Sequence, residues 1–237
     1  MDSTRRAELT RYLSSFVTPE RLRKMDAVLQ NRTRYVTVVL EDIYQPHNAS
    51  AVVRTCDALG VHDVHIVEQR NTYTVNPGVA LGTTNWVNLI RFPRGDGAMR
   101  SATAALREKG YRLVATTPHA DAVGPADLDL SAGPVALMFG TELDGLSEAA
   151  LTEADEYVRI PMYGFVESFN ISVSAAITLF SLTERLRASD LRWRLTEEET
   201  ADTKLAWLRR SIKRAETLEA DFEKGNRGTD VDSHPCS

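Results

Sequence analysis

The sequence predicts an α/β protein: a parallel sheet with helices on both faces, flanked by terminal helices. Three observations predict it. Short β-branched runs alternate with helical stretches between residues 35 and 188. Several of these runs are continuously apolar, as strands covered on both faces must be. Helically spaced segments rich in Arg and Lys lie outside that region.

Residues 1–34 carry Arg5, Arg6, Arg11, Arg21, Arg23, Lys24, Arg32 and Arg34 among Leu9, Leu13, Phe16, Leu22, Met25 and Leu29. Two short helices are expected, the second started by Thr18 as N-cap and Pro19 at its first position. Such a basic face either packs on the body with its charges in water or meets an anionic partner. Then come a buried strand at 35–40, a helix at 49–59 stopped by Gly60, and a strand at 64–67. An amphipathic helix at 96–109, closed by Gly110, precedes strands at 111–116 and 135–139. A helix at 147–154, a short strand at 157–160 and a long helix at 170–188 complete the domain. From Glu197 a single helix carries Leu205, Leu208, Ile212, Ala215 and Leu218 on one side, packed on the domain or on a partner. Beyond Phe222 the composition is polar and predicts a disordered tail. The expected organisation is therefore a basic extension at 1–34, the α/β domain at 35–188, a helical extension at 189–222 and a tail at 223–237.

The 237 residues hold 28 Lys and Arg against 33 Asp and Glu, a net charge of −5, and 43% are hydrophobic. That composition supports one sizeable core and is not that of a disordered chain or a disulfide scaffold. Cys56 and Cys236 lie far apart, which points to a reducing compartment. No stretch reaches the roughly 18 uninterrupted apolar residues of a membrane span, and the first residues have no secretory apolar run. A cytoplasmic protein is expected. The acidic total argues against non-specific nucleic-acid binding, so local charge decides that question.

Polar residues cluster after three predicted strands, where open parallel sheets bind ligands. The first cluster is Gln45-Pro46-His47-Asn48, which feeds a helix; Asn48 is a natural N-cap there. Arg54 follows on the same helix among Ala, Val and Leu, where it must pair, reach a surface or meet an anion. The second, Gly140-Thr141-Glu142-Leu143-Asp144-Gly145, is a simple turn or a site; it lacks the spacings of a dinucleotide fingerprint or a phosphate loop. The third, Ile160 to Asn170, mixes apolar, glycine and polar residues. A loop that apolar is expected to be buried, and its backbone then needs partners that a ligand can supply. His47, His62, His65, His119 and His234 show no metal-ligand spacing, with His62 and His65 in or beside a strand.

Asn48 through Gly60, Phe139 through Ser147, and Ile160-Pro161-Met162 through Ser168-Phe169-Asn170 to Ser174 resemble, in order and spacing, the three motifs of the SpoU (TrmH) branch of the SPOUT RNA methyltransferases. The basic terminal helices resemble the extensions of those members that methylate guanosine in the tRNA D-loop. The resemblance implies a C-terminal deep trefoil knot, a homodimer, and S-adenosyl-L-methionine bent among the knot loops on backbone contacts. By position it assigns Thr116, Gly140, Ile160, Met162 and Phe169 to the cofactor; the family often has Leu in place of Phe169. It implies transfer of a methyl group to a ribose 2′-hydroxyl of RNA, tRNA ahead of ribosomal RNA, with no metal. Arg54 is then the base or an electrostatic helper, with Asn48, Glu142, Ser168 and Asn170 shaping the site. A non-catalytic RNA-binding module is the rival reading.

Overall fold

The apolar runs form β1 (Val36–Glu41), β2 (Asp63–Val67), β3 (Asn88–Phe92), β4 (Arg112–Thr116), β5 (Val135–Phe139) and β6 (Glu156–Val158). All pair in parallel, in the order β3-β2-β1-β5-β4-β6. The structure, a computed structural model, describes residues 1–229 except Val75, Leu81, Pro93, Asp96, His119 and Ala120, with backbone alone at Pro77, Ala80 and 225–229. His119, His234, Cys236 and the first residue of the expected 96–109 helix lie outside the described residues. The intervening helices are α3 (Pro46–Ala58), α4 (Pro77–Ala80), α5 (Ala98–Glu108), α6 (Glu148–Glu153) and α7 (Ile171–Arg187).

Both sheet faces are covered, as the unbroken apolar runs require. On one face Val36, Val38, Leu40, Ile66, Leu137 and Phe139 pack with Val52, Val53 and Cys56 of α3 and Ala175, Leu179 and Leu182 of α7. On the other, Val39, Leu113, Ala115, Ala136 and Met138 pack with Met99, Ala102 and Leu106 of α5 and Ala150 of α6. Each buried Val, Leu or Met contributes roughly 1.5–3 kcal/mol. Gly60, at φ +80°, ends α3 as expected, and the next N–H, of Val61, returns to the carbonyl of Cys56 at 2.9 Å.

Several boundaries differ from expectation. Strand β3 has no clear signature in the sequence because it is an edge strand, only partly buried, with Arg91 interrupting its apolar residues. Helix α3 begins at Pro46, with Gln45 before it, so Asn48 lies inside the first turn and is not the N-cap. The expected single C-terminal helix is two, α8 (Glu197–Ser211) and α9 (Ala215–Thr229), broken where Arg214 takes φ +69°. Because α9 runs to Thr229, residues 223–229 are helical rather than part of a disordered tail, and 230–237 lie outside the described residues.

The chain divides into two units, residues 1–31 with 195–237, and residues 32–194. The boundary lies at 31/32 rather than 34/35 because Arg32 and Thr33 belong to the sheet unit. Arg32 is fully buried, ion-paired to Asp57 and hydrogen-bonded to the carbonyls of Asp57 and Val61 at the end of α3. Thr33 bridges to Val61 and Arg194, and its hydroxyl donates to the carbonyl of Trp193 at 2.6 Å, which carries the unit's other boundary past 188. In the terminal unit, α1 (Ser3–Ser14) and α2 (Pro19–Leu29) pack on α8, and α1 also on α9. Leu9, Leu13, Met25, Leu29, Trp207 and Leu208 are buried in that unit. Thr18 caps α2, accepting from the N–H of Arg21. Arg5 pairs with Glu223 at 2.7 Å and Arg6 with Asp202 at 2.7 Å, so these two charges are spent inside the unit.

Candidate active site

Strands β4, β5 and β6 end side by side, and the chain leaving their carboxyl ends lines a cleft of about 330 Å³. That is the place and the size range of ligand sites in open parallel sheets. Thr116, Gly140, Ile160, Met162 and Phe169 all line it, joined by Glu142 and Ser168. Residues 160–169 form no hydrogen bond with any described residue, so the backbone groups of this loop, five of whose residues line the cleft, are unspent. The expectation that this loop is buried is overturned: Tyr163, Phe165, Val166 and Phe169 are all exposed, because the sheet faces are already filled by α3, α7, α5 and α6.

Three residues from the three sequence clusters converge at the rim. The Asn48 amide donates to a Glu142 carboxylate oxygen at 2.7 Å and to Gln45 at 3.0 Å. The Asn170 amide donates to that same Glu142 oxygen and to the Asn48 carbonyl oxygen at 3.3 Å. Asn170 is itself fixed as the N-cap of α7, accepting from the N–H of Ser172 at 2.9 Å. Glu142 projects from a tight hairpin in which Thr141 and Gly145 exchange backbone hydrogen bonds of 2.9 and 3.1 Å. Gly140 is required there on steric grounds: a Cβ would stand 2.0 Å from the carbonyl oxygen of Gly145.

Arg54 is not drawn into this set. Its side chain is exposed, forms no hydrogen bond or ion pair with a described residue, and does not line the cleft of its own chain. The obvious acids are already engaged, Asp57 by Arg32 and Glu142 by the two asparagines. On α3 the exposed positions His47, Arg54 and Ala58 form a stripe. On the neighbouring α7, Val173, Ile177 and Phe180 form another, which is apolar.

Residues 35–180 match the model of the SpoU rRNA Methylase family. The chain belongs to that family. It is 42% identical over 207 residues to the tRNA (guanosine(18)-2'-O)-methyltransferase of Borreliella burgdorferi, covering 87% of this chain and 93% of the relative. The crystal structure of the A. aeolicus TrmH/SpoU tRNA modifying enzyme superposes with a TM-score of 0.73 at 28% identity, covering 82% of this chain and 98% of that one. A second SpoU methyltransferase, AviRb from Streptomyces viridochromogenes, was solved in complex with the cofactor AdoMet. It matches with a TM-score of 0.58 at 27% identity, over 68% of this chain and 64% of that one.

Some side chains at or behind the cleft were not anticipated. Arg159 lines it with no hydrogen bond or ion pair from its guanidinium to a described residue; its signal was an arginine directly before the apolar Ile160. Glu41 and Asp42, at the end of β1, are both buried, and two acids closing a β-branched run were the available clue. Among the described residues, no histidine and no cysteine lines the cleft. His65 lies within β2, and burial pushes its pKa down to about 4. Burial raises the Cys56 thiol to about 12, which keeps it protonated and unreactive. Among the described residues no three His, Cys, Asp or Glu side chains are grouped to hold a metal.

Proposed function

We propose that this chain transfers a methyl group from S-adenosyl-L-methionine to a ribose 2′-hydroxyl of RNA, and that its substrate is guanosine 18 of tRNA. The observation that carries the reading is the convergence of Asn48, Glu142 and Asn170 beside a cleft lined by Thr116, Gly140, Ile160, Met162 and Phe169. The unspent backbone of 160–169 and the apolar faces of Ile160, Met162 and Phe169 suit a flat adenine ring and its polar edge. S-adenosyl-L-methionine supplies a methyl group already activated on a sulfonium.

A ribose hydroxyl attacks poorly until its proton leaves, so the chain must place the hydroxyl in line and stabilise the oxygen as charge develops. Arg54, a cation with no partner among the described residues, is suited to a substrate phosphate and to that oxygen. Glu142, held by two asparagine amides, and Ser168 fix the rim against which the ribose sits. We read the segments 139–146 and 159–170 as loops of the family's trefoil knot.

Arg54 does not reach the cleft of its own chain, so a second copy completes the site. The apolar stripe Val173, Ile177 and Phe180 on α7 is the face for a homodimer. A tRNA substrate supports a cytoplasmic location.

The test is ribose-methylation mapping by mass spectrometry after incubating the purified protein and cofactor with unmodified tRNA and, separately, ribosomal RNA. One 2′-O-methylguanosine in the D-loop is expected. Methylation of ribosomal RNA alone replaces the substrate; methylation of neither, by a folded and cofactor-bound protein, overturns the reading in favour of a binding module.

A further inference from the structure

We propose that Asp42 is a positioning residue that acts through Arg70 on Asp144 and so holds the 140–147 loop with Glu142 aimed at Asn48 and Asn170. The inference rests on the function proposed above, since it gives that site its rigidity. Glu41 and Asp42 are 2% and 4% exposed, and neither lines the cleft. Two adjacent carboxylates are costly to bury unless hydrogen bonds offset the loss of water.

Those hydrogen bonds all run to two loops. Glu41 fixes the root of the 140–147 loop, accepting from the N–H of Ser147 at 2.8 Å and from its hydroxyl at 2.6 Å, while Gln69 donates to it at 2.7 Å. Asp42 adopts φ +54°, a left-handed conformation that side chains other than glycine rarely take. The strain has a structural return: its carboxylate receives the N–H groups of Gln69, Arg70 and Asn71 at 3.1, 2.8 and 2.7 Å.

Arg70 is thereby held over the second loop. Its Nε donates to Asp42 at 3.3 Å and a terminal nitrogen to Asp144 at 3.1 Å. Arg94 donates to the carbonyls of Gln69 and Arg70 at 3.0 and 2.7 Å, which secures the same segment through its backbone. Asp144 is two residues from Glu142 in the hairpin closed by Thr141 and Gly145, and its own N–H is held by the Thr141 hydroxyl at 2.9 Å. The loop is tied at its root by Glu41 and at its tip by Arg70, leaving Glu142 little freedom.

Arg70 and Asp144 are 71% and 67% exposed, so Arg70→Ala and Asp144→Asn will leave the protein folded, and an exposed ion pair adds little to stability. Two readouts are compared in the full-length protein: single-turnover methyl transfer to tRNA at saturating cofactor and RNA, and hydrogen exchange of the 141–145 amides without RNA. We expect each single variant to slow transfer about threefold and speed exchange at 141–145, the double variant to be no worse than either single, and Arg70→Ala, whose side chain does not line the cleft, to keep cofactor affinity within twofold. Asp42→Asn, which keeps a side chain tolerant of the left-handed backbone, should reproduce the loss and add nothing to Arg70→Ala. Unchanged exchange at 141–145 overturns the proposal, as does a slow Arg70→Ala beside a fully active Asp144→Asn, which would mean that Arg70 touches RNA directly. A wild-type protein that methylates no tRNA defeats the functional reading instead, and the exchange measurement still decides the clamp.

Discussion

Arg54 and Glu142 are charged side chains with opposite surroundings. Glu142 is engaged by Asn48 and Asn170, whereas Arg54 has no partner among the described residues. Arg54→Ala should therefore shift stability by no more than about 0.5 kcal/mol, as exposed substitutions do, and Ala suits a helix. Methyl transfer should fall at least ~100-fold, and Arg54→Lys should recover little, lacking the planar fork. Single-turnover transfer beside a melting curve checks both. His65 gives a pH prediction. Burial lowers its folded pKa to about 4 from 6.5, so the unfolded chain binds its proton first as pH falls. The stability tied to neutral His65 is complete above pH 6.5 and is lost as pH drops towards 4, by about 3 kcal/mol. Denaturant titrations should show that slope in the wild type and a flatter one in His65→Leu. Asp42 adds a loss at lower pH. Burial opposes its charge, but three backbone N–H groups and Arg70 outweigh that and lower its pKa below 3.8, so its contribution disappears as pH falls below that value.

The helices assign the terminal charges differently from a count of arginines. Arg5 and Arg6 on α1 are bound to acids of α9 and α8, and Lys204 to Asp26 at 2.6 Å. Arg11, Arg23 and Lys24 are exposed and form no ion pair with a described residue. Deleting residues 1–34 would expose the apolar faces of α8 and α9, so the sharper experiment changes charge alone. Replacing Arg11, Arg23 and Lys24 by Gln should leave the melting temperature nearly unchanged. It should reduce the salt dependence of tRNA affinity by roughly 0.7–0.9 in log–log slope for each phosphate that is no longer neutralised. A filter-binding series from low to moderate salt measures it; an unchanged slope assigns these helices to packing alone.

For the whole molecule, the proposed homodimer rests on the exposed stripe Val173, Ile177 and Phe180. A face of three apolar side chains at i, i+4 and i+7 is costly to leave in water. Light scattering at micromolar concentration should give twice the chain mass, and Ile177→Glu should yield a folded monomer. If Arg54 serves the second copy's cleft, that monomer should bind cofactor but lose methyl transfer. Mixing inactive Arg54→Ala with an inactive cleft variant such as Glu142→Gln should then restore part of the activity, because the mixed dimer keeps one intact composite site.

The α/β architecture was legible because apolar runs such as Val36 to Leu40 and Val135 to Phe139 can be buried only between two layers of helix, and Gly60 can end a helix where side chains resist positive φ. The three clusters that form the candidate site were legible for a related reason: polar groups cluttering strand ends serve no packing purpose. Partnership was not legible. The sequence left Asn48 equally suited to cap a helix; only the fold shows that the helix starts at Pro46 and that the Asn48 amide donates to Glu142, 94 residues away. Arg54 and Arg32 are both arginines near an aspartate, yet Arg32 takes Asp57 and is buried while Arg54 stays exposed. The buried Glu41 and Asp42, the union of the two chain ends and the break at Arg214 likewise depend on contacts between distant segments. Local pattern fixes which face a residue turns towards the core, because that follows from helix and strand period alone. Which charge meets which depends on how separate elements close on one another, and that is decided only when the whole chain is folded.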